Sequence, residues 1–135
     1  MVRRLELFGS TTYVDSRILS DPTFVSTIGT TAERVPNVPI WRATFGGTYR
    51  PDDHWALTLV GRYQSKIFAT LDNIDTVRNV YQAFDPFLVF DARVQYQVGE
   101  RGSLAFCIDN LTNEKYHLFH LFPQRTYVVQ GRVKF

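Results

Sequence analysis

The sequence is poor in the features that stabilise or anchor many classes of protein. Its 135 residues include a single cysteine, Cys107. An internal disulfide is therefore excluded, and the cysteine content does not indicate whether the protein lies in an oxidising or a reducing compartment. No apolar stretch approaches the roughly 18–20 residues that a transmembrane helix needs. The formal net charge is only +2, which gives no electrostatic reason to expect a nucleic-acid partner. A single water-soluble domain is therefore the default expectation.

Chemical motifs are also scarce. The N-terminal "MVRRLELFGS" is basic but lacks the apolar core and cleavage site of a signal peptide. There is no glycine-rich phosphate loop and no spacing typical of a Ser-His-Asp triad. His117 and His120 form an H-x-x-H pattern, yet zinc normally takes three or four protein ligands. We therefore expect no enzyme activity, no cofactor and no metal site.

Strict alternation of apolar and polar residues takes the place of helical periodicity, which is nearly absent. The alternation recurs in six segments that are separated by turns or longer connections. The segments cover residues 5–13, 41–49, 55–63, 88–98, 104–108 and 127–135. This pattern predicts an all-β protein, an antiparallel meander of about six strands.

The connections between these predicted strands alternate between short and long. Residues 50–54 and 98–103 read as tight polar turns, whereas about 25, 20 and 14 residues make up the connections at 15–39, 65–85 and 110–124. Loops of this length usually carry function. Short turns at one end and long loops at the other are typical of outer-membrane β-barrels.

Aromatic residues make up 15% of the chain and mark the ends of the predicted strands. Three strands have aromatic residues eight positions apart at their ends: Trp41 and Tyr49, Trp55 and Tyr63, Tyr127 and Phe135. Eight residues of strand span about 26 Å, or about 20 Å of height at a tilt near 40°. This approaches the apolar band of about 25 Å between the aromatic girdles of transmembrane barrels. We predict girdle positions at Tyr13, Trp41, Tyr49, Trp55, Tyr63 and Tyr96.

The positions between the apolar ones are too polar for a dry core. They include Arg42, Arg50, Arg62, Asp91, Arg93, Gln95, Gln97, Gln130 and Arg132. Burying all of them away from water would carry a severe desolvation cost. The pattern therefore favours a sheet with one face toward hydrocarbon and the other toward water or a polar body. The alternative is a small binding or structural β-sheet module, in the outer membrane or soluble, that closes by oligomerisation.

Several segments of the chain form a specific set in order and spacing. The sharpest are "DNLTNEKY" (109–116), "PQRT" (123–126) and a final strand that ends in Phe135. Together with stretches such as "VPNVPIWRATFGGTYRPDDHWALTLVGRY" and "FLVFDARVQYQV", they resemble the C-terminal end of TonB-dependent outer-membrane receptors over nearly the whole chain. The resemblance implies a location in the outer membrane of a Gram-negative bacterium. It also implies active uptake of a scarce ligand, usually a ferric siderophore.

The resemblance implies that the TonB complex is a partner of the complete receptor, and that the complete receptor contains a plug domain and further strands. Receptors of this kind have about 22 strands and a plugged lumen, and the TonB complex acts on them through an N-terminal plug domain. The chain shows no plug and no TonB box, and six strands are too few to close a barrel, since the smallest use about eight. We therefore expect residues 1–135 to be a fragment, the C-terminal part of a receptor barrel that contacts outer-membrane lipid.

The last strand carries a further implication of the resemblance. In outer-membrane proteins a C-terminal strand with a terminal aromatic resembles the signal that the barrel-assembly machinery reads. Such a strand can add to an exposed sheet edge through backbone hydrogen bonds, with pockets for alternate side chains. The expected signal residues are Tyr127, Val129, Gly131, Val133 and Phe135.

The long loops supply the candidates for ligand contact. A ferric siderophore is often anionic and partly aromatic, so arginine and aromatic side chains in outward loops are suitable partners. The candidates are Arg78, Tyr81, Phe84, His117 and Phe119. The alternative for each of them is that it only packs the loops together.

Overall fold

The computed structural model describes residues 4–20 and 33–135 of the chain. Eight β-strands lie in these ranges: β1 Arg4–Tyr13, β2 Trp41–Arg50, β3 Trp55–Gln64, β4 Phe87–Val98, β5 Gly102–Asp109, β6 His117–Leu118, β7 His120–Leu121 and β8 Thr126–Val133. The middle of the first predicted long connection, residues 21–32, lies outside the described residues, as do the first three residues of the chain. No helix within the described ranges is long and apolar enough to cross a membrane.

Six of the strands form one open antiparallel sheet in the order β1-β2-β3-β4-β5-β8. Neighbours in the sheet are therefore neighbours in the chain, apart from the small β6–β7 hairpin inserted before β8. The predicted all-β class and the six-stranded meander are confirmed. The hairpin was not predicted, because two-residue strands carry no alternation that a sequence could display.

The strand register brings the alternating apolar positions of the predicted strands to one face of the sheet. Tyr13 lies opposite Trp41, and Trp55 lies opposite Tyr96, so the aromatic ends of neighbouring strands meet. Residues directly opposite each other in a sheet project to the same side. We call this side the apolar face. Its large residues are Leu5, Leu7, Tyr13, Trp41, Phe45, Tyr49, Trp55, Leu57, Leu59, Tyr63, Leu88, Phe90, Val94, Tyr96, Leu104, Phe106, Ile108, Tyr127, Val129 and Val133.

The alternate residues form the opposite side, which we call the polar face. Its polar members include Arg4, Glu6, Arg42, Arg50, Thr58, Arg62, Asp91, Arg93, Gln95, Ser103, Gln130 and Arg132. Most of the large residues of the apolar face are exposed to the surroundings. Within the described residues, the apolar face of the sheet is therefore not covered by other parts of the chain and does not form a hydrophobic core.

The connections at the two ends of the sheet differ as predicted. Residues 51–54 and 99–101 make short turns, and the first is held by the Asp52 carboxylate, which accepts hydrogen bonds from the backbone N–H groups of His54 at 2.8 Å and Trp55 at 2.9 Å. The other end carries three long connections. We call them loop 1 (14–40), loop 2 (65–86) and loop 3 (110–125).

A small core lies on the polar face, beneath loops 2 and 3. Val89 of β4 is fully covered there, and Ile67, Ala83 and Tyr116 from the loops are buried. The ring of Tyr116 stacks between Phe87, at 4.4 Å, and Phe122, at 5.0 Å between centroids. The loops thus fold inward over the polar face and pack a few apolar residues against it. The sequence had indicated only that water or a polar body meets this face.

Candidate functional site

Loops 2 and 3 are joined by backbone hydrogen bonds into one unit. Phe84 and Leu118 form an antiparallel bridge. The N–H of Phe119 donates to the carbonyl of Ala83 at 2.9 Å, and the N–H of Gln82 donates to the carbonyl of Phe119 at 2.6 Å. This pairing brings together the two segments that contain all five predicted ligand residues.

The aromatic candidates form an exposed cluster on this unit. The ring of Phe119 lies 5.4 Å from that of Tyr81 and 6.3 Å from that of Phe84. His120 adds a fourth ring, 5.1 Å from Tyr81 and 4.9 Å from Phe119. We call Tyr81, Phe84, Phe119 and His120 the loop aromatic cluster. Since Tyr81 is 61% exposed, the cluster offers ring surface on which an aromatic or apolar ligand group could pack.

The remaining two candidates, Arg78 and His117, meet at a buried carboxylate. Arg78 Nε lies 3.9 Å from Asp85 Oδ1, and His117 Nδ1 lies 3.4 Å from Asp85 Oδ2. The Asp85 side chain is only 2% exposed. It also accepts hydrogen bonds from the backbone N–H of Asn79 at 3.1 Å and from that of His117 at 2.8 Å. The structure therefore places two of the five predicted residues, Arg78 and His117, beside Asp85, a residue that the sequence analysis did not single out. The other three predicted residues lie in the loop aromatic cluster.

No local signal would have identified Asp85 beforehand. It precedes Pro86 in a loop with two other acidic residues, Asp72 and Asp75, and aspartate before proline is common in ordinary turns. Its importance arises from the approach of loop 3, which is distant in the sequence. Only the tertiary structure shows that approach.

The "DNLTNEKY" segment forms a turn tied to the sheet. Asn110 is buried, and its side-chain amide donates to the carbonyl of Glu114 at 2.8 Å while its Oδ1 accepts from the N–H of Glu114 at 2.8 Å. The N–H of Asn110 donates to Asp91 Oδ1 at 2.9 Å. Asp91 in turn receives two hydrogen bonds from the Arg62 guanidinium, at 2.8 and 3.1 Å. Asn110 thus stabilises the turn that follows β5.

Tyr116 completes this buried region. Burial raises the pKa of its phenol, the nearby Arg62 charge lowers the pKa, and Asp91 raises it further. The net shift is upward, so the phenol is neutral at physiological pH. A neutral, stacked tyrosine here serves to fix loop 3 over β4.

The predicted girdle residues lie at the two ends of the apolar face. At the long-loop end, the rings of Tyr13 and Trp41 are 4.7 Å apart. At the short-turn end, the rings of Trp55 and Tyr96 are 4.7 Å apart. Tyr63 lies opposite Ala43 at the first end, and Tyr49 lies opposite Leu57 at the second. All six predicted girdle residues are exposed, and none is covered by another part of the described chain.

The closing strand, like β1, is exposed along its whole length. Every residue of β8 is exposed, and within the described residues the strand pairs only with β5. Four of the predicted assembly-signal residues, Tyr127, Val129, Gly131 and Val133, lie on the apolar face. The fifth, Phe135, lies just beyond the end of β8. One edge of β8 is therefore available for pairing.

Metal ligands do not converge in the described part of the chain. Residues 4–20 and 33–135 contain no group of three or more histidine, cysteine, aspartate or glutamate side chains that could hold a metal ion. His117 is directed to Asp85, whereas His120 lies in the aromatic cluster. The H-x-x-H pattern thus serves loop packing here.

A family described as "TonB dependent receptor-like, beta-barrel" matches residues 3–111 of the chain. The chain belongs to this family. TonB-dependent receptors are outer-membrane proteins, and neither the family nor the structural neighbours below are enzymes. The open six-stranded sheet is thus a segment of a TonB-dependent receptor barrel. The family resemblance found in the sequence is confirmed.

Two solved structures resemble the chain over most of its length. The first is the ferric citrate transporter FecA in its unliganded form, with a TM-score of 0.81, 26% sequence identity and 97% of this chain covered. The second is the siderophore receptor PiuA from Acinetobacter baumannii, with a TM-score of 0.69, 18% identity and 93% of this chain covered. At that identity the likeness to PiuA shows the fold alone. No curated protein sequence gives a significant match.

The chain spans about a fifth of the length of these structures, since the alignments cover 21% of FecA and 18% of PiuA. The matched region corresponds to a few strands of each larger barrel. What a complete receptor binds and transports is therefore a separate question from the fold of these strands.

Proposed function

We propose that residues 1–135 form the C-terminal wall of an outer-membrane receptor that takes up a scarce ligand actively, with a ferric siderophore or ferric citrate as the first candidate. The observation that carries this proposal is the apolar face. Its exposed residues are uncharged from one aromatic end to the other. Soluble monomeric proteins rarely expose a continuous apolar surface of this size to water.

Lipid is the partner that this face suits. The aromatic residues at its ends are separated by about 26 Å along the strands, or about 20 Å of height at a tilt near 40°, which approaches the girdle spacing of about 25 Å in a membrane barrel. Tyrosine and tryptophan rings at these ends would lie at the level of the lipid headgroups. The polar face would then look into the interior of the complete barrel, where water or a plug domain meets its arginines.

The unit formed by loops 2 and 3 is the proposed ligand-contact surface. The exposed ring of Tyr81 and the half-exposed guanidinium of Arg78 offer stacking and a charge-assisted hydrogen bond to an anionic chelate. The similarity to FecA, a ferric citrate transporter, supports an iron chelate as the ligand class. Phe84, Phe119 and His117 would hold this surface in shape.

Two further partners follow from the same proposal. The TonB complex would act on the receptor through a plug domain, and the barrel-assembly machinery would bind the edge of β8. Both assignments rest on the family and on the exposed edge of β8.

Iron uptake tests the proposal. Cells that lack the chromosomal gene and carry a plasmid copy of the complete receptor gene would be supplied with radiolabelled ferric citrate or a ferric siderophore. Uptake that depends on the gene and on TonB is expected. The double variant Arg78→Ala, Tyr81→Ala should lower uptake at unchanged receptor level, whereas Gln130→Ala, distant from the loops, should not. Equal uptake with and without the gene for every iron chelate would reject the ligand class.

A further inference from the structure

The junction of loops 2 and 3 contains a buried polar atom that lacks a partner. His117 Nδ1 has no hydrogen bond within the described residues, although its side chain is only 15% exposed. Buried polar atoms are nearly always satisfied in native structures, so such an exception calls for an explanation. The nearest charged atom is Asp85 Oδ2, at 3.4 Å.

The two residues are already paired through their backbones. The N–H of Asp85 donates to the carbonyl of His117 at 2.8 Å, and the N–H of His117 donates to the Asp85 carboxylate at 2.8 Å. These two hydrogen bonds place the imidazole beside the carboxylate and do not themselves depend on the charge of the ring. Protonation of the ring changes a third contact, the one between the ring nitrogen and Asp85.

We propose that Asp85 and His117 form a proton-controlled clasp between loops 2 and 3, tighter when the imidazole is protonated and looser when it is neutral. A protonated ring carries N–H groups on both nitrogens and a full positive charge, so it can donate to Asp85 and attract it. A neutral ring whose proton is on Nε2 presents a lone pair to a carboxylate oxygen. Histidine is the side chain that ordinarily changes charge between about pH 5 and 8.

Within residues 4–20 and 33–135, two side chains form ion-pair contacts with Asp85, those of Arg78 and His117. Loop 2 contributes Asp85 itself and Arg78, whose Nε is 3.9 Å from the other carboxylate oxygen. Loop 3 contributes the neutral phenol of Tyr116 and, across the hairpin, His120, which contacts Tyr81 and not Asp85. Since Arg78 is 56% exposed and the imidazole 15%, solvent screens the arginine far more than it screens the histidine. Protonation of His117 is therefore the larger change at this carboxylate.

The clasp would also control the shape of the loop aromatic cluster. Phe119 and Gln82 both have positive φ angles of 70°, which non-glycine residues adopt at a cost. Their mutual backbone hydrogen bond forms only while the loops are joined. Weakening the Asp85–His117 contact would favour release of this strained pairing. Acidification would thus stabilise the ordered cluster, and a rise in pH would loosen it.

Hydrogen–deuterium exchange on the complete receptor in detergent tests the clasp without any ligand. Amides of residues 82–85 and 117–119 would be followed at about pH 5.5 and 7.5, after correction for the intrinsic dependence of exchange on pH. We expect protection at least about threefold higher at the lower pH. Equal corrected protection at the two pH values would overturn the proposal.

Three variants assign the effect. His117→Gln keeps a side chain that can donate and accept but removes the titration, so its protection should not change with pH. Asp85→Asn removes the carboxylate charge and should also abolish the dependence, which provides a second route if one variant folds poorly. His120→Gln removes the other imidazole of the same hairpin, and the pH dependence of its protection should remain that of the wild type even where the lost ring contacts with Tyr81 and Phe119 lower the overall protection. Persistence of the pH effect in both His117→Gln and Asp85→Asn, or its loss in His120→Gln, would contradict the assignment. Because no uptake is measured, this outcome is independent of the iron-transport proposal.

Discussion

The ring of Phe45 on β2 lies directly over Gly61 on β3. A Cβ atom built on Gly61 would approach two atoms of this ring to 2.5 Å, and the two residues are register partners. Phe45 also contacts Phe90 edge-on at 6.1 Å between centroids. An aromatic ring that covers a cross-strand glycine compensates for its missing side chain. This pair therefore fills the middle of the apolar face.

The two faces should respond differently to added methyl groups at glycine. A Cβ on Gly61 would meet only the far end of the Phe45 side chain, whereas a Cβ on Gly46, on the polar face, would meet the backbone carbonyl of Leu59 as well as the ring of Phe8. A side chain can rotate away, but a paired backbone cannot. We expect Gly46→Ala to destabilise the barrel by about 1–3 kcal/mol and Gly61→Ala by less than about 1 kcal/mol.

Denaturant unfolding of the receptor in phospholipid vesicles measures this difference. Gly131→Ala serves as the control, because a Cβ there would have only an ordinary contact with Leu104 at 3.8 Å. If Gly46→Ala were as stable as Gly131→Ala, the close approach of β2 and β3 at this point would be wrong.

Charge on the apolar face should be costly. Leu59 lies near the middle of β3 on that face and is 49% exposed, so Leu59→Arg would place a guanidinium in hydrocarbon. The expected cost is about 2–4 kcal/mol near the bilayer midplane. The matched control is Thr58→Arg, the next residue, which projects to the polar face and hydrogen-bonds Thr48 at 2.9 Å. A refolding titration in which Leu59→Arg is no worse than Thr58→Arg would contradict the lipid-facing assignment.

The loop 3 turn should depend on Asn110. The residue makes two side-chain hydrogen bonds to Glu114 and has a φ of 53°, a conformation that asparagine tolerates better than alanine. Asn110→Ala should destabilise the loop by about 2–4 kcal/mol.

Limited proteolysis of loop 3 reports this loss directly. Asn113→Ala is the comparison, since Asn113 also has a positive φ but accepts a single side-chain hydrogen bond, from the N–H of Arg125 at 3.0 Å. Cleavage of the Asn110→Ala variant should be the faster. Equal rates would mean that the turn does not depend on the Asn110 side chain.

The terminal phenylalanine should matter for assembly. Phe135 lies beyond the end of β8 and makes no ring contact within the described residues, so its removal leaves the packing of the sheet unchanged. Deleting it from the complete receptor should lower the outer-membrane level by about half or more if the assembly machinery reads it. Quantitative immunoblots of membrane fractions give the result. Phe135→Tyr should preserve the level, and an unchanged level on deletion would remove this role.

Much of the architecture was determined by the sequence alone. The alternation between 41 and 49, or between 88 and 98, has a period of two, which is the period of a strand, so the faces and the antiparallel meander followed from it. The aromatic ends of the strands could be read in the same way, because Trp41 and Trp55 begin segments that the short and long connections delimit. Such features are local: each depends on a spacing within about ten residues.

The tertiary structure decided which distant residues meet. Asp85 and His117 are 32 residues apart, and nothing in either segment specifies the other. Likewise, Arg62, Asp91 and Asn110 come from β3, β4 and loop 3, and they form one network only because the register sets β3 beside β4 and loop 3 folds back over both. Long-range pairing depends on the free energy of the whole folded chain, which no short pattern encodes. For that reason the sequence analysis identified five candidate loop residues, while only the fold showed the buried Asp85 carboxylate that Arg78 and His117 approach.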